Sequence, residues 1–203
     1  MADDFVKRLR KAGWTPHEGQ RAYLRCQARF RVLACGRRWG KTDAAAAEMT
    51  HRITTRATSR QLAIAPTLAQ VRIVFERMKW MLATAGVAFT AVTTPHPIIR
   101  VHEGGVKKAA IIHVLDARSG HEAKNLRGRG ADHVLIDEAA FVPESLITEV
   151  AMPMLAASNG RMTLISTPRG RNHFYRFFRM GESKEHGFWS RRSPSIENPL
   201  VSK

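Results

Sequence analysis

Residues 30–42, FRVLACGRRWGKT, constrain the fold of this chain more than any other stretch. Phe30 to Ala34 is a short, mostly apolar run, and Cys35 to Gly40 reads as a loop. Lys41-Thr42 then opens a segment, residues 43–48 (DAAAAE), of high helix propensity. Strand, glycine-containing loop and helix opening on Gly-Lys-Thr is the layout of a phosphate-binding loop. Amide N–H groups at a helix N-terminus point outward, and the helix dipole favours an anion there. Gly40 lets the backbone approach phosphates closely, Lys41 can reach β- and γ-phosphate oxygens, and the Thr42 hydroxyl can ligate Mg2+. The usual spacing is G-x4-G-K-[ST]. Here the first position is Cys35, and Gly36 comes one place late.

With 203 residues the chain makes one domain, or one with a small appendage, and can bury a sizeable core. No apolar run of about 18 residues is present, so no transmembrane helix is expected. The N-terminus, MADDFVKRLRKAG, lacks the apolar centre of a signal peptide. Two cysteines, Cys26 and Cys35, make neither a disulfide framework nor a metal site, and a reducing cytoplasm fits them. The net charge of +16 points to a polyanionic partner, bound in a salt-dependent way, with a solvated basic surface as the plain alternative. Composition does not separate DNA from RNA.

Taken in order, residues 3–12 pattern as an amphipathic helix ended by Gly13. Thr15 and Pro16 are placed to cap a helix over about 17–27. Within it, Gln20 has an amide that can both donate to and accept from an adenine edge, although taken alone it reads better as a surface glutamine on a helix. Trp14 and Tyr23 can stack on a base or pack in a core. After the helix that follows Thr42, residues 60–65 read as a strand and 68–85 as a long helix, with Val71, Val74, Phe75, Met78 and Leu82 at helical spacing. This β-α-β-α rhythm predicts a mostly parallel sheet with helices on both faces. Residues 87–92 are a candidate strand and 98–115 a hairpin, with Lys107 and Lys108 at its tip. Residues 116–131 are polar and glycine-rich, an exposed loop carrying Arg127 and Arg129. A buried strand over 134–136, a helix from Pro143 to about Leu155, a strand over 161–165, a helix over 172–180 and a short strand over 187–191 complete the chain.

The strand at 134–136 ends in Asp137-Glu138. An aspartate at a strand end can hold the Mg2+ shell, and a neighbouring glutamate can polarise an attacking water. A positive group is also needed for transition-state charge. Arg37, Arg38, Arg127, Arg129 and Arg169 are candidates that the physics of the sequence does not rank.

These segments together resemble the N-terminal ATPase domain of tailed-phage terminase large subunits, the DNA-packaging motors. The likeness rests on PHEGQ, CGRRWGKT, LAIAPT, NLRG followed by VLIDEAAF, and LISTPRG, over about residues 16–170. It implies an α/β P-loop NTPase of the ASCE type: a core over 1–170, including N-terminal helices and an adenine-side segment over 1–29, then a lid or linker over 171–203. Terminase loops commonly lack the first glycine and carry an early arginine. The resemblance makes Gln20 the adenine-reading residue, and Cys35, Gly36, Arg37, Arg38, Trp39, Gly40, Lys41 and Thr42 the nucleotide-binding loop, with Arg37 at the γ-phosphate. Thr42 and Asp137 become metal residues, Glu138 the catalytic glutamate, and Arg127 a trans-acting arginine finger. Ser166, Thr167 and Pro168 become the coupling motif, on a strand between the loop strand and the acidic strand.

ATP and Mg2+ follow as substrate and cofactor. Implied partners are double-stranded DNA, the portal, the small terminase subunit and further copies in a ring, with the isolated domain monomeric. The implied setting is the host-cell cytoplasm at the procapsid portal, translocating viral DNA, with no membrane. No strand-borne acidic cluster is left over for a nuclease, so no DNA cleavage is expected. A helicase-like translocase and a non-hydrolysing nucleic-acid scaffold remain as other readings.

Overall fold

A computed structural model describes residues 3–56, 58–94, 97–103, 106–116 and 130–201. Helices α1 (Asp3–Lys11) and α2 (Glu18–Arg25) precede strand β1 (Phe30–Cys35), helix α3 (Lys41–Thr55), strand β2 (Thr58–Ala65) and helix α4 (Leu68–Thr84). Strands β3 (Phe89–Val92), β4 (Ile98–Glu103), β5 (Val106–Asp116) and β6 (His133–Asp137) follow. Helix α5 is wound as a π-helix over Leu146–Ala151 and passes into an α-turn, Met152–Met154. Strand β7 (Arg161–Ser166), helix α6 (His173–Glu182) and strand β8 (Phe188–Ser193) complete the order.

The eight strands of the described residues lie in one sheet, β3-β4-β5-β2-β6-β7-β1-β8. The run from β5 to β8 is parallel, and β3-β4-β5 is an antiparallel meander on one edge. Alternate residues divide the core. Leu33, Cys35, Ala63, Ala65, Leu135 and Ile165 pack under α1–α4. Val32, Ala34, Leu62, Ile64, Val134, Ile136, Met162 and Leu164 pack under α5 and α6. The fully buried run Ala44–Ala47 lets α3 lie close to the sheet. Among the described residues no helix is long and apolar enough to cross a membrane.

Several elements differ from the sequence reading. Helix α2 starts at Glu18 with His17 as its N-cap, two residues after Thr15, because Gln20 Oε1 accepts from the His17 amide at 3.1 Å. Helix α5 is not a plain α-helix: Pro153 has no amide hydrogen and crowds the carbonyl four residues back, and the wide turns end where it enters. The stretch expected as a lid puts β8 into the main sheet, parallel to β1. Lys107, expected at a hairpin tip, stands within β5 opposite His102.

Candidate active site

The strand order decides the site. Strand β7 lies between β1 and β6, so the phosphate-loop strand, the Ser166 strand and the acidic strand end side by side. An open cleft of about 950 Å³ lies there, walled by Arg37, Lys41, Thr42, Glu138, Thr167 and Arg169, among others. Crevices beyond the carboxyl ends of parallel strands are where open α/β sheets bind ligands.

The loop is held from behind. Lys41 Nζ donates to the carbonyls of Cys35 and Gly36 at 3.0 and 3.1 Å. Asn198 Nδ2 donates to Arg38 O at 2.6 Å, His17 Nε2 to Trp39 O at 2.9 Å, and Gln20 Nε2 to Gly40 O at 3.0 Å. Arg38 and Gly40 both have left-handed backbone, φ 60° and 88°. Backbone of this kind is the pattern from which anion-binding nests are built. Gly40 answers a real demand, since a Cβ there would also sit 2.5 Å from Gln20 Nε2. Cys35, at the position of the usual first glycine, closes β1 opposite Ser193 of β8 and does not have positive φ, so no glycine is required. Its thiol is buried, and burial pushes it up to about 12.

The acidic strand delivers two carboxylates to different neighbours. Asp137 Oδ2 accepts from Thr42 Oγ1 at 3.0 Å. Burial, with the Glu138 charge beside it, raises Asp137 to about 6 against the pull of the Thr42 hydrogen bond and Lys41. Glu138 has a left-handed backbone, φ 49°, and lines the cleft. Such a conformation costs on the order of 1–3 kcal/mol in a non-glycine residue and persists only where neighbours over-determine it. Here Ser166 Oγ donates to Glu138 Oε2 at 3.0 Å while accepting from the Ala140 amide at 3.3 Å. Lys41 Nζ lies 3.5 Å from Thr167 Oγ1, so the Ser166-Thr167 pair touches both the loop lysine and the glutamate.

The structure thus brings Lys41, Thr42, Asp137, Glu138, Ser166 and Thr167 together, with Arg37 exposed on the cleft wall and Arg169 over the Phe141 ring at 4.5 Å. Arg127 and Arg129 lie outside the described residues. Gln20 is buried, with its amide engaged at both ends by His17 and Gly40. Trp39 is fully buried beneath the loop, so only its backbone can serve a nucleotide. Of the two aromatics with a stacking or a core role open to them, Tyr23 is a core residue, its hydroxyl on Glu48. Trp14 lines a second cleft of about 750 Å³ with Gln20, Trp80 and Arg77. Arg77 carried no signal in the sequence. It reaches from α4 to Asp43 at 2.6 Å and walls both clefts.

A family model, "Terminase large subunit, T4likevirus-type, N-terminal", matches residues 32–193. The chain belongs to that family. Over 191 residues it is 34% identical to the terminase large subunit of Thermus virus P23-45, covering 89% of this chain. It spans only 39% of that relative's length. The ATPase domain of the Thermus phage P74-26 large terminase superposes with a TM-score of 0.78 at 29% identity, covering 95% of this chain and 85% of that one. A large terminase from a thermophilic bacteriophage, solved in complex with ADP and 16% identical, shares the fold with a TM-score of 0.77 over 93% of this chain and 48% of that one. This terminase domain is therefore a P-loop NTPase fold with a mostly parallel sheet.

Proposed function

We propose that this terminase domain hydrolyses ATP and, assembled as a ring of copies with portal and small subunit, drives double-stranded DNA into a procapsid. One observation carries the catalytic part: Thr42 Oγ1 bonds Asp137 Oδ2 across the cleft that Lys41 and Glu138 also line. Lys41 would release the loop carbonyls for β- and γ-phosphate oxygens. Glu138, fixed by Ser166, is aimed to orient a water and take its proton. Ser166-Thr167, in touch with both groups, would report γ-phosphate loss to Pro168 and the residues after it. Gln20 keeps one amide hydrogen and one lone pair for an adenine edge. The excess charge of +16 favours the DNA backbone.

Mg2+ fits the donor set. One hydroxyl and one buried carboxylate, with no cluster of three or more acidic, His or Cys ligands among the described residues, suit an ion that takes the rest of its shell from phosphates and water. Bound there, it would neutralise charge on the phosphates. Thr42 and Asp137 are the residues to hold it.

Two outcomes check this reading. Turnover per molecule should rise with protein concentration and with double-stranded DNA. ATP binding with no turnover under any of these conditions would leave a scaffold, and turnover indifferent to both would sink the ring motor. The second check is pH. The folded value of Asp137, about 6, lies above its ordinary 3.8. Its ionisation therefore costs the metal-free domain stability as pH rises from 3.8 through 6. Mg2+ needs the ionised form, so its affinity should fall roughly tenfold per pH unit below that value. Melting curves should show Mg·ATP stabilising the domain at pH 7 and much less at pH 5. Asp137→Asn should abolish that pH difference.

A further inference from the structure

Residues 193–198 touch the phosphate-binding loop at Gly36, Arg38 and Trp39. The Gly36 amide donates to Ser193 O at 2.9 Å, extending the β1–β8 ladder one residue beyond the strand. Asn198 Nδ2 holds Arg38 O, the carbonyl of a left-handed residue that needs outside restraint. Trp39 Nε1 donates to Glu197 Oε2 at 3.1 Å. Glu197 is itself held, with Arg191 Nη2 at 3.3 Å from the same oxygen and Arg191 Nε on Ser193 Oγ at 2.9 Å. Burial opposes the charge of Glu197, but Trp39, Ser193 and Arg191 hold it below its ordinary value.

The fit leaves no slack. A Cβ on Gly36 would stand 2.3 Å from Ser195 Oγ and 2.8 Å from Ser195 N. A Cβ on Gly19 would stand 2.6 Å from Glu197 Oε2 and 2.8 Å from the Trp39 ring. The His17 ring closes edge-on against the indole, centroids 4.8 Å apart. An indole inside a loop that must cradle phosphate, yet turned wholly away from the cleft, has a use if it is the handle by which the loop is held.

We propose that residues 193–198 are a brace that sets the nucleotide-binding shape of the loop, with Glu197 as a positioning residue acting through Trp39. The proposal rests on reading the loop as an ATP site. Linkage makes the effect reciprocal: what tightens the loop on phosphate tightens the brace, and the reverse. The brace is separate from Ser166-Thr167, which contacts Glu138 and Lys41 instead.

The test uses the full chain. Glu197→Ala should raise KM for ATP about tenfold, within the usual range of such couplings, and leave kcat near its starting value because Glu138 and Ser166 are untouched. Glu197→Gln keeps an acceptor for the indole and should recover most of the loss. Trp39→Phe lacks the N–H and should match Glu197→Ala, and the pair together should be no worse than either alone. ATPγS should slow amide hydrogen exchange across residues 193–201 in the wild type and not in Glu197→Ala. Asn198→Ala, on the exposed side, should show a smaller change in the same direction and serves if Glu197→Ala does not fold. A wild-type KM in these variants, or bound ATPγS without any change in exchange at 193–201, overturns the brace. Failure of the wild-type chain to bind ATPγS overturns the ATP reading, and the brace with it.

Discussion

Glu138→Gln is expected to cut ATP turnover by about 10²–10⁴-fold, the range for removing a general base, while ATP still binds. The change keeps the side chain's shape and its acceptor for the Ser166 hydroxyl, 3.0 Å away in the wild type, so the strained turn at residue 138 can persist. What is lost is the ability to take a proton from water. Single-turnover phosphate release with radiolabelled ATP, beside equilibrium binding of the same nucleotide, separates the two. Near-normal turnover would remove Glu138 from the catalytic role. Equal loss of binding and turnover would make it structural.

The largest effect on stability is expected far from the cleft. At the opposite end of the same strands, on the face toward α3, Arg31 of β1 donates to Glu48 of α3 at 2.6 Å and to Thr163 of β7 at 2.8 Å. The Tyr23 hydroxyl donates to the other Glu48 oxygen, and His133 of β6 lies 3.7 Å from it. Arg31 and Glu48 are 1% and 8% exposed. Burial alone would raise Glu48, but the Arg31 charge and the Tyr23 hydrogen bond hold it at about 2. Burial, reinforced by the surrounding arginines, outweighs the Glu48 charge and depresses His133 to about 3, so it stays neutral.

Glu48→Ala leaves a guanidinium buried without its counter-charge, a loss of about 3–5 kcal/mol. In a domain of this size that lowers Tm by roughly 6–20 °C. The double replacement Arg31→Met with Glu48→Leu should recover most of the loss, since the cost lies in the orphaned charge rather than in the absence of a pair. A Glu48→Ala domain melting within about 2 °C of wild type would show that water reaches Arg31. The sign with pH follows from the depressed values. Glu48 contributes stability above its ordinary 4.5 that is lost as pH falls toward 2. His133 likewise contributes stability above 6.5 that is lost as pH falls toward 3.

The polar cluster also shows where sequence reading stops. Arg31 interrupts an apolar strand with a charge on the parity that faces α3, and His133 and Thr163 share that parity on neighbouring strands. The pattern is visible in the letters, but the partner, Glu48, lies on a helix whose surrounding alanines carry no amphipathic mark. Only the register of β1 against β7 and the close approach of α3 bring the four groups together. Arg77 escaped for a similar reason: on α4 it looks like any exposed helical arginine until Asp43 is seen opposite it.

Local chemistry was written in the chain itself. The loop, its lysine and threonine, the carboxylate pair at a strand end, the parallel rhythm and the apolar spacing of α4 depend on neighbours within a few residues, where propensity and periodicity act. The glycine at position 40 is likewise legible from the motif, although its left-handed backbone is seen only in the fold. Tertiary structure decided what those groups face. Burial under α3 and the sheet, not composition, lifts Asp137; the seat of β7 between β1 and β6, not the Ser-Thr-Pro letters, puts Ser166 on Glu138. The motif places Trp39 and Gln20 beside the loop, but only packing supplies their partners, Glu197 some 160 residues on for the indole and Gly40 for the glutamine amide. A sequence states which groups need partners. Which partner each receives is settled by packing, because hydrogen bonds and ion pairs are made across the fold, between residues that no local pattern connects.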